Sequence, residues 1–194
     1  MNVAAYWAEI EEWLFANAPD AIPFLPAGAS PSAFAAAERQ LGYHIPADVK
    51  EFLAVHDGSG HLWLHDRGEF MSLKTMLSLW DMEVDLWGNG NNDEWAKPSG
   101  PIRKKWFTRD WLPLLDARTG DYVCLDMNPP NDGKLGQLFS WHHDGGPTEV
   151  IADSFSTLLG EFVHELKAGS YSPRINDKGQ PYLDYRANAT DTTV

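Results

Sequence analysis

Residues 155–166 set the strictest limit on the fold. Phe155, Leu158, Leu159, Phe162, Val163 and Leu166 recur at three- and four-residue spacing, so one broad side of a helix must be buried. Asp153 or Ser154 is placed to cap its start, and Gly169 to close it. Such a face needs a second layer to cover it. The preceding stretch supplies that layer as "WLPLL", "DYVCLDM", "LGQLFSW" and "EVI", short β-prone pieces separated by Asp, Gly, Pro and Asn clusters. Short connections of this kind predict an antiparallel meander.

Helical periodicity returns earlier in the chain. Val3, Tyr6, Trp7, Ile10, Trp13 and Leu14 form a stripe that Asn17 and Pro19 end. Ser30 can cap a second helix opening at Pro31, with Phe34, Ala37 and Leu41 inward and Gly42 as its stop. A third opens at Pro46, buries Val49, Phe52 and Leu53, and is expected to end through Gly58. "HLWL" and "EFMSL" read as a hairpin around Asp66, Arg67 and Gly68. A fourth helix carries Leu73, Met76, Leu77, Trp80, Val84 and Trp87 and stops at the loop "GNGNND". The expected architecture is a single α+β domain, with a largely antiparallel twisted sheet of about five to six strands between N-terminal helices and a C-terminal helix. Residues 171–194 read as a polar tail, ordered as far as Tyr185.

With 43% hydrophobic residues and nine tryptophans in 194 positions, the chain can bury a substantial core. A single cysteine, Cys124, excludes an internal disulfide framework and a Cys-cluster zinc site. Lying in an apolar strand, it reads as a small buried hydrophobe. The first 15 residues lack a basic flank and acids interrupt them, so no secretory signal is expected, and no stretch approaches the roughly 20 apolar residues of a membrane span. A cytoplasmic protein with no membrane partner follows as the expectation. Formal charge is −13, with 8 acids against 2 bases over residues 1–60 and 7 against 3 over residues 61–100. Such a surface repels phosphate backbones and favours basic partners.

Several groupings could carry chemistry. Asp126, Asp132, His142, His143 and Asp144 crowd a short stretch, but a hairpin of 121–127 with 135–141 sets Asp126 opposite a residue near 136 and His142 near 120. A hydrolytic set of Asp126, His142 and Asp144 would therefore be scattered, and "NPPND" misses the calcium-loop pattern. His61 and His65 sit in an extended segment, where roughly 13 Å of rise separates their attachment points. "RKKWFTR", residues 103–109, combines bases with aromatics and reads as a basic strand edge rather than a nucleic-acid site. No nucleophile elbow, Walker loop or His-Glu-x-x-His motif occurs. Neither a catalytic set nor a cofactor or metal site is expected. A binding surface is expected instead at "WDMEVDLWGNGNNDEW", from Asp81, Glu83, Asp85, Asp93 and Glu94, with Trp95 as the aromatic anchor.

Four fragments, "WAEIEEWLFANAP", "LPAGASPSAFAAAERQLGYHIPADVKEFLAVHDG", "WLPLLDARTGDYVCLDMNPPNDGKLGQLFSWHHDGG" and "VIADSFSTLLGEFVHELKAG", occur in that order over most of residues 3–169. In this order they resemble the SUKH superfamily, in its cell-wall-assembly regulator (Smi/Knr-like) branch. The resemblance implies a SUKH-like domain over residues 1–170 and a non-enzymatic α+β protein. It implies, for a stand-alone copy, an immunity protein that binds and neutralises a cognate toxin, for example a basic nuclease-type domain, as a monomer or weak dimer. Fungal members act instead as scaffolds in cell-wall signalling with long disordered flanks, which this chain is expected to lack. No binding residue transfers by motif, so the surface choice rests on the acidic run.

Overall fold

The computed structural model describes residues 3–186. The first four helices are α1 (Val3–Asn17), α2 (Pro31–Leu41), α3 (Ala47–Val55) and α4 (Leu73–Trp87), with a 3-10 turn at Pro19–Phe24. Strand β1 (Glu69–Phe70) lies between α3 and α4. After α4 come β2 (Trp111–Asp116), β3 (Tyr122–Asp126), β4 (Gln137–His142) and β5 (Gly146–Ala152), then α5 (Phe155–Ala168) and the strands β6 (Tyr171–Ile175) and β7 (Pro181–Tyr185). Strands β1 to β5 form one antiparallel sheet in chain order, and β6 pairs only with β7. This is the expected α+β domain and meander.

Local chemistry sets the helix boundaries. Ser30, Ser72 and Ser154 each stand in extended backbone and accept the N–H three residues on, at 3.2, 3.2 and 3.1 Å. Of the two residues able to cap α5, Ser154 does so, and Gly169 closes the helix in the left-handed region at φ 80°. Every residue of the stripe on α5 is buried.

Central strands β2, β3 and β4 are buried along nearly their whole length. Both faces of the sheet are therefore covered, which is why these strands read as near-continuous apolar runs. Register pairs Tyr122 with Trp141, Cys124 with Phe139 and Asp126 with Gln137. These side chains share one face, where the Tyr122 and Trp141 rings stack at 5.3 Å and Trp111 meets Phe139 at 4.9 Å. Helix α4 covers this side, pinned by the Trp80 indole donating to Arg109 O at 2.9 Å. Val123 and Leu125 turn to the opposite face. A second aromatic group joins α1, α3, α5 and β1: Trp7 stacks on Phe52 at 4.6 Å, and Phe52 meets Phe70 at 4.9 Å and Phe155 at 5.0 Å. Helix α1 is held against α5 at its rim by Lys167 Nζ to Glu9 Oε2 at 2.6 Å, and Gly160 leaves room for the Tyr6 hydroxyl.

Four local expectations change. His61 is a turn residue and residues 62–64 join no ladder, because the segment faces β7 and not β1; Trp63 O accepts the Leu183 N–H at 2.9 Å. Helix α3 ends on His56 in extended backbone, and Gly58 serves another purpose. At φ 83° it passes so close to β1 that a Cβ would stand 2.6 Å from Phe70 O. Residues 103–109 are loop rather than strand edge. Residues 171–185 form a full hairpin, anchored by buried Tyr171 and Leu183. The end of the polar stretch, residues 187–194, lies outside the described residues.

Candidate interaction surface

Helix α4 positions the acidic run. Its inward side is Leu73, Met76, Trp80 and Glu83. Its outward side pairs two ridges at four-residue spacing, Asp81 with Asp85 and Met82 with Leu86. Both apolar members are exposed, Met82 at 46% and Leu86 at 52%. In the loop that follows, Trp95 is 64% exposed and Glu94 stands beside it in sequence, also exposed. Alongside the ridge runs a groove of about 400 Å³ between α2 and α4, lined by Ala33, Ala37, Leu73 and Leu77, with Asp57 and Asp81 among its polar residues.

Of the six expected binding residues, Asp81, Asp85, Glu94 and Trp95 face outward. Glu83 does not. It is 4% exposed and lies under α4 near Tyr122, where burial raises its pKa and hydrogen bonds from Tyr122 and Trp87 only partly offset that. Its place was legible, because 76, 80, 83 and 87 is the spacing of the buried stripe. Asp93 is also occupied: Oδ1 accepts the Trp106 N–H at 2.9 Å and Oδ2 pairs with Lys105 at 2.6 Å, tying the 91–95 loop to the 103–109 loop. Met82 and Leu86 were missed, although two large apolar residues lying off the stripe are the signal that exposes them.

The hydrolytic grouping is dispersed by register. Asp126 is fully buried at one end of β3, accepting Asn128 N–H at 3.0 Å and Gln137 Nε2 at 3.3 Å, and burial raises its pKa. His142 and His143 stand at the other end against Asp121, at 3.4 and 2.8 Å. Asp121 is held at about 2, since the His143 side chain and backbone N–H outweigh a burial effect of opposite sign. Cys124 is buried completely and its thiol pushed up. His65 is 5% exposed and contacts Asp66 at 2.6 Å. Among the described residues no three His, Cys, Asp or Glu side chains are placed to hold a metal ion. Nor, among them, is any helix long and apolar enough to cross a membrane.

This geometry leaves acidic and apolar side chains side by side on the outside of α4. Among similar sequences is the cell wall assembly regulator SMI1 of Saccharomyces cerevisiae, 22% identical over 85% of this chain and 40% of the relative. The cell wall biosynthesis/cell cycle regulator smi1 of Schizosaccharomyces pombe is 23% identical over 87% and 37%. The glucan synthesis regulatory protein of Neurospora crassa is 22% identical over 87% and 39%. The chain thus spans about two fifths of the length of these curated relatives. The model of the SMI1 / KNR4 family (SUKH-1) matches residues 28–161, from just before α2 into α5. With most of the sheet and the flanking helices inside that match, the chain belongs to the SMI1 / KNR4 family (SUKH-1).

Proposed function

We propose that this chain is a non-catalytic docking module of the regulator type, acting in the cytoplasm and binding partner proteins through the outward side of α4. The observation that carries the reading is the pairing of Met82 and Leu86 with the Asp81 and Asp85 carboxylates on one exposed helix surface. Apolar residues supply binding energy, while carboxylates select basic partners and speed encounter. The relatives, named as regulators of cell wall assembly, of cell wall biosynthesis and the cell cycle, and of glucan synthesis, support a regulatory role over a catalytic one. The test is affinity capture with the natural chain and with a Met82→Asp/Leu86→Asp variant. Partners retained equally by both would place docking elsewhere.

A second reading, neutralisation of a cognate toxin, is favoured by the −13 charge concentrated in the first hundred residues. In this reading the acidic side covers the basic substrate groove of a nuclease-type domain. Co-expression separates the two: one tight partner whose toxicity is abolished supports neutralisation, and several weaker partners support the regulator.

A further inference from the structure

Away from α4, the β6–β7 hairpin encloses a second concave surface. Between β7 and residues 61–66 lies an open cleft of about 510 Å³, lined by Trp63, Asp66, Tyr182, Asp184 and Tyr185, with Arg118 and His61 in its wall. That wall is rigid. Arg118 Nε donates to Glu69 Oε2 at 3.1 Å, Nη2 donates to His61 O at 2.9 Å, and the Arg118 backbone N–H donates to Asp116 Oδ1 at 2.6 Å. Among the described residues, His61 and Arg118 are the non-glycine positions with left-handed backbone, at φ 70° and 57°. Two such conformations meeting in one wall mark a shape that the surrounding contacts hold in place.

Charge and aromatic surface select the occupant. Glu69, its side chain 10% exposed, answers the positive charge of Arg118, which leaves Asp66 and Asp184, beside His65 and Arg174, as the carboxylates of the lining. Burial raises the pKa of Asp66, but His65, the Arg67 charge and the Tyr171 hydroxyl together bring it below the ordinary value, so the carboxyl stays ionised. Asp184 meets Arg174 only loosely, at 3.5 Å with both side chains about half exposed. Trp63, Tyr182 and Tyr185 add aromatic side chains to the lining, Tyr185 resting on Tyr171 at 5.0 Å. A planar guanidinium satisfies both demands, stacking on rings while its fork meets carboxylates; a compact, strongly hydrated ammonium does so less well. We propose that this cleft binds an arginine side chain presented by an extended segment of a partner protein, between the aromatic faces of Trp63, Tyr182 and Tyr185 and the carboxylates of Asp66 and Asp184. The site is separate from α4 and does not depend on the docking role given to that helix.

The full chain, isotopically labelled, is titrated with the capped peptide Gly-Gly-Arg-Gly-Gly and with its citrulline and lysine counterparts, following the Trp63 indole and the amides of 182–185 by NMR. Saturable shifts there are expected with arginine, about ten-fold weaker binding with lysine, and none with citrulline. Asp184→Asn and Tyr182→Ala should each weaken arginine binding several-fold; both residues are only half-buried, so the fold survives to be tested. Equal shifts with citrulline, shifts gathered on α4, or no saturation by about 10 mM peptide would each overturn the assignment. Reversal of Asp81 and Asp85 should leave the arginine shifts intact, so the two surfaces fail or stand separately.

Discussion

Glu83 shows how one side chain can oppose the composition around it. Its Oε2 is buried without a hydrogen-bond partner, and burial raises its pKa above the ordinary 4.5. Below that value both folded and unfolded chains hold the proton, and the group adds nothing. As pH rises past it, the unfolded chain releases the proton while the folded chain keeps it, so stability falls. Glu83→Gln should therefore unfold like the natural chain near pH 4 and resist urea increasingly better toward pH 8; a constant offset would show that ionisation is not the cause. Gly58 works through space rather than charge. A methyl group there meets the backbone of β1, so Gly58→Ala should lose about 2 kcal/mol or more in the same measurement. Glu83 could be placed from the helical period alone. The role of Gly58 could not, because its neighbour Phe70 is 12 residues away and the contact exists only once β1 is laid down.

Elements differ in how openly the chain declares them. Helices with a serine cap and a glycine or extended stop, and strands bounded by turn residues, were legible to within about three residues, because their signals are local. The hairpin of β6 and β7 was not, since Arg174 and Asp184 interrupt it, its apolar Ile175 is exposed, and Tyr171, Pro181 and Leu183 are its few buried anchors. Residues 61–64 misled for a related reason: their alternation is genuine, but the partner is β7, more than a hundred residues further on. The outward side of α4 was half legible, its carboxylates obvious and its Met82 and Leu86 overlooked. Two tests belong at this scale. Removing the α5 cap with Ser154→Ala should cost about 1 kcal/mol of stability by urea denaturation. Reversing Asp81 and Asp85 to lysine should cut the association rate with a basic partner more than it raises the dissociation rate, and stopped-flow mixing at two salt concentrations would show it.

For the molecule as a whole, two kinds of carboxyl pull stability in opposite directions. Glu38, bonded first by Lys50 and then by His44, and Asp121, held by His143, are both kept at about 2. Their contribution is complete above their ordinary values of 4.5 and 3.8 and is lost as pH falls toward 2. Glu83 and Asp126, raised by burial, weaken the fold as pH climbs. Urea midpoints between pH 3 and 8 should pass through a maximum on the acid side of neutrality, and added salt should lift the neutral limb by screening the excess negative charge. A midpoint that rises steadily to pH 8 would contradict this balance. Lastly, α1 rests on α5, the clasp sealed by Glu9 and Lys167. A nascent polypeptide can zip its meander strand by strand as it leaves the ribosome, and α1 can meet α3 early through Trp7 and Phe52, yet the other half of its seat is missing until residue 168 has emerged. A stalled fragment ending before α5 would leave the α5-facing side of α1, Tyr6 and Glu9 included, open to whatever chaperone is nearest.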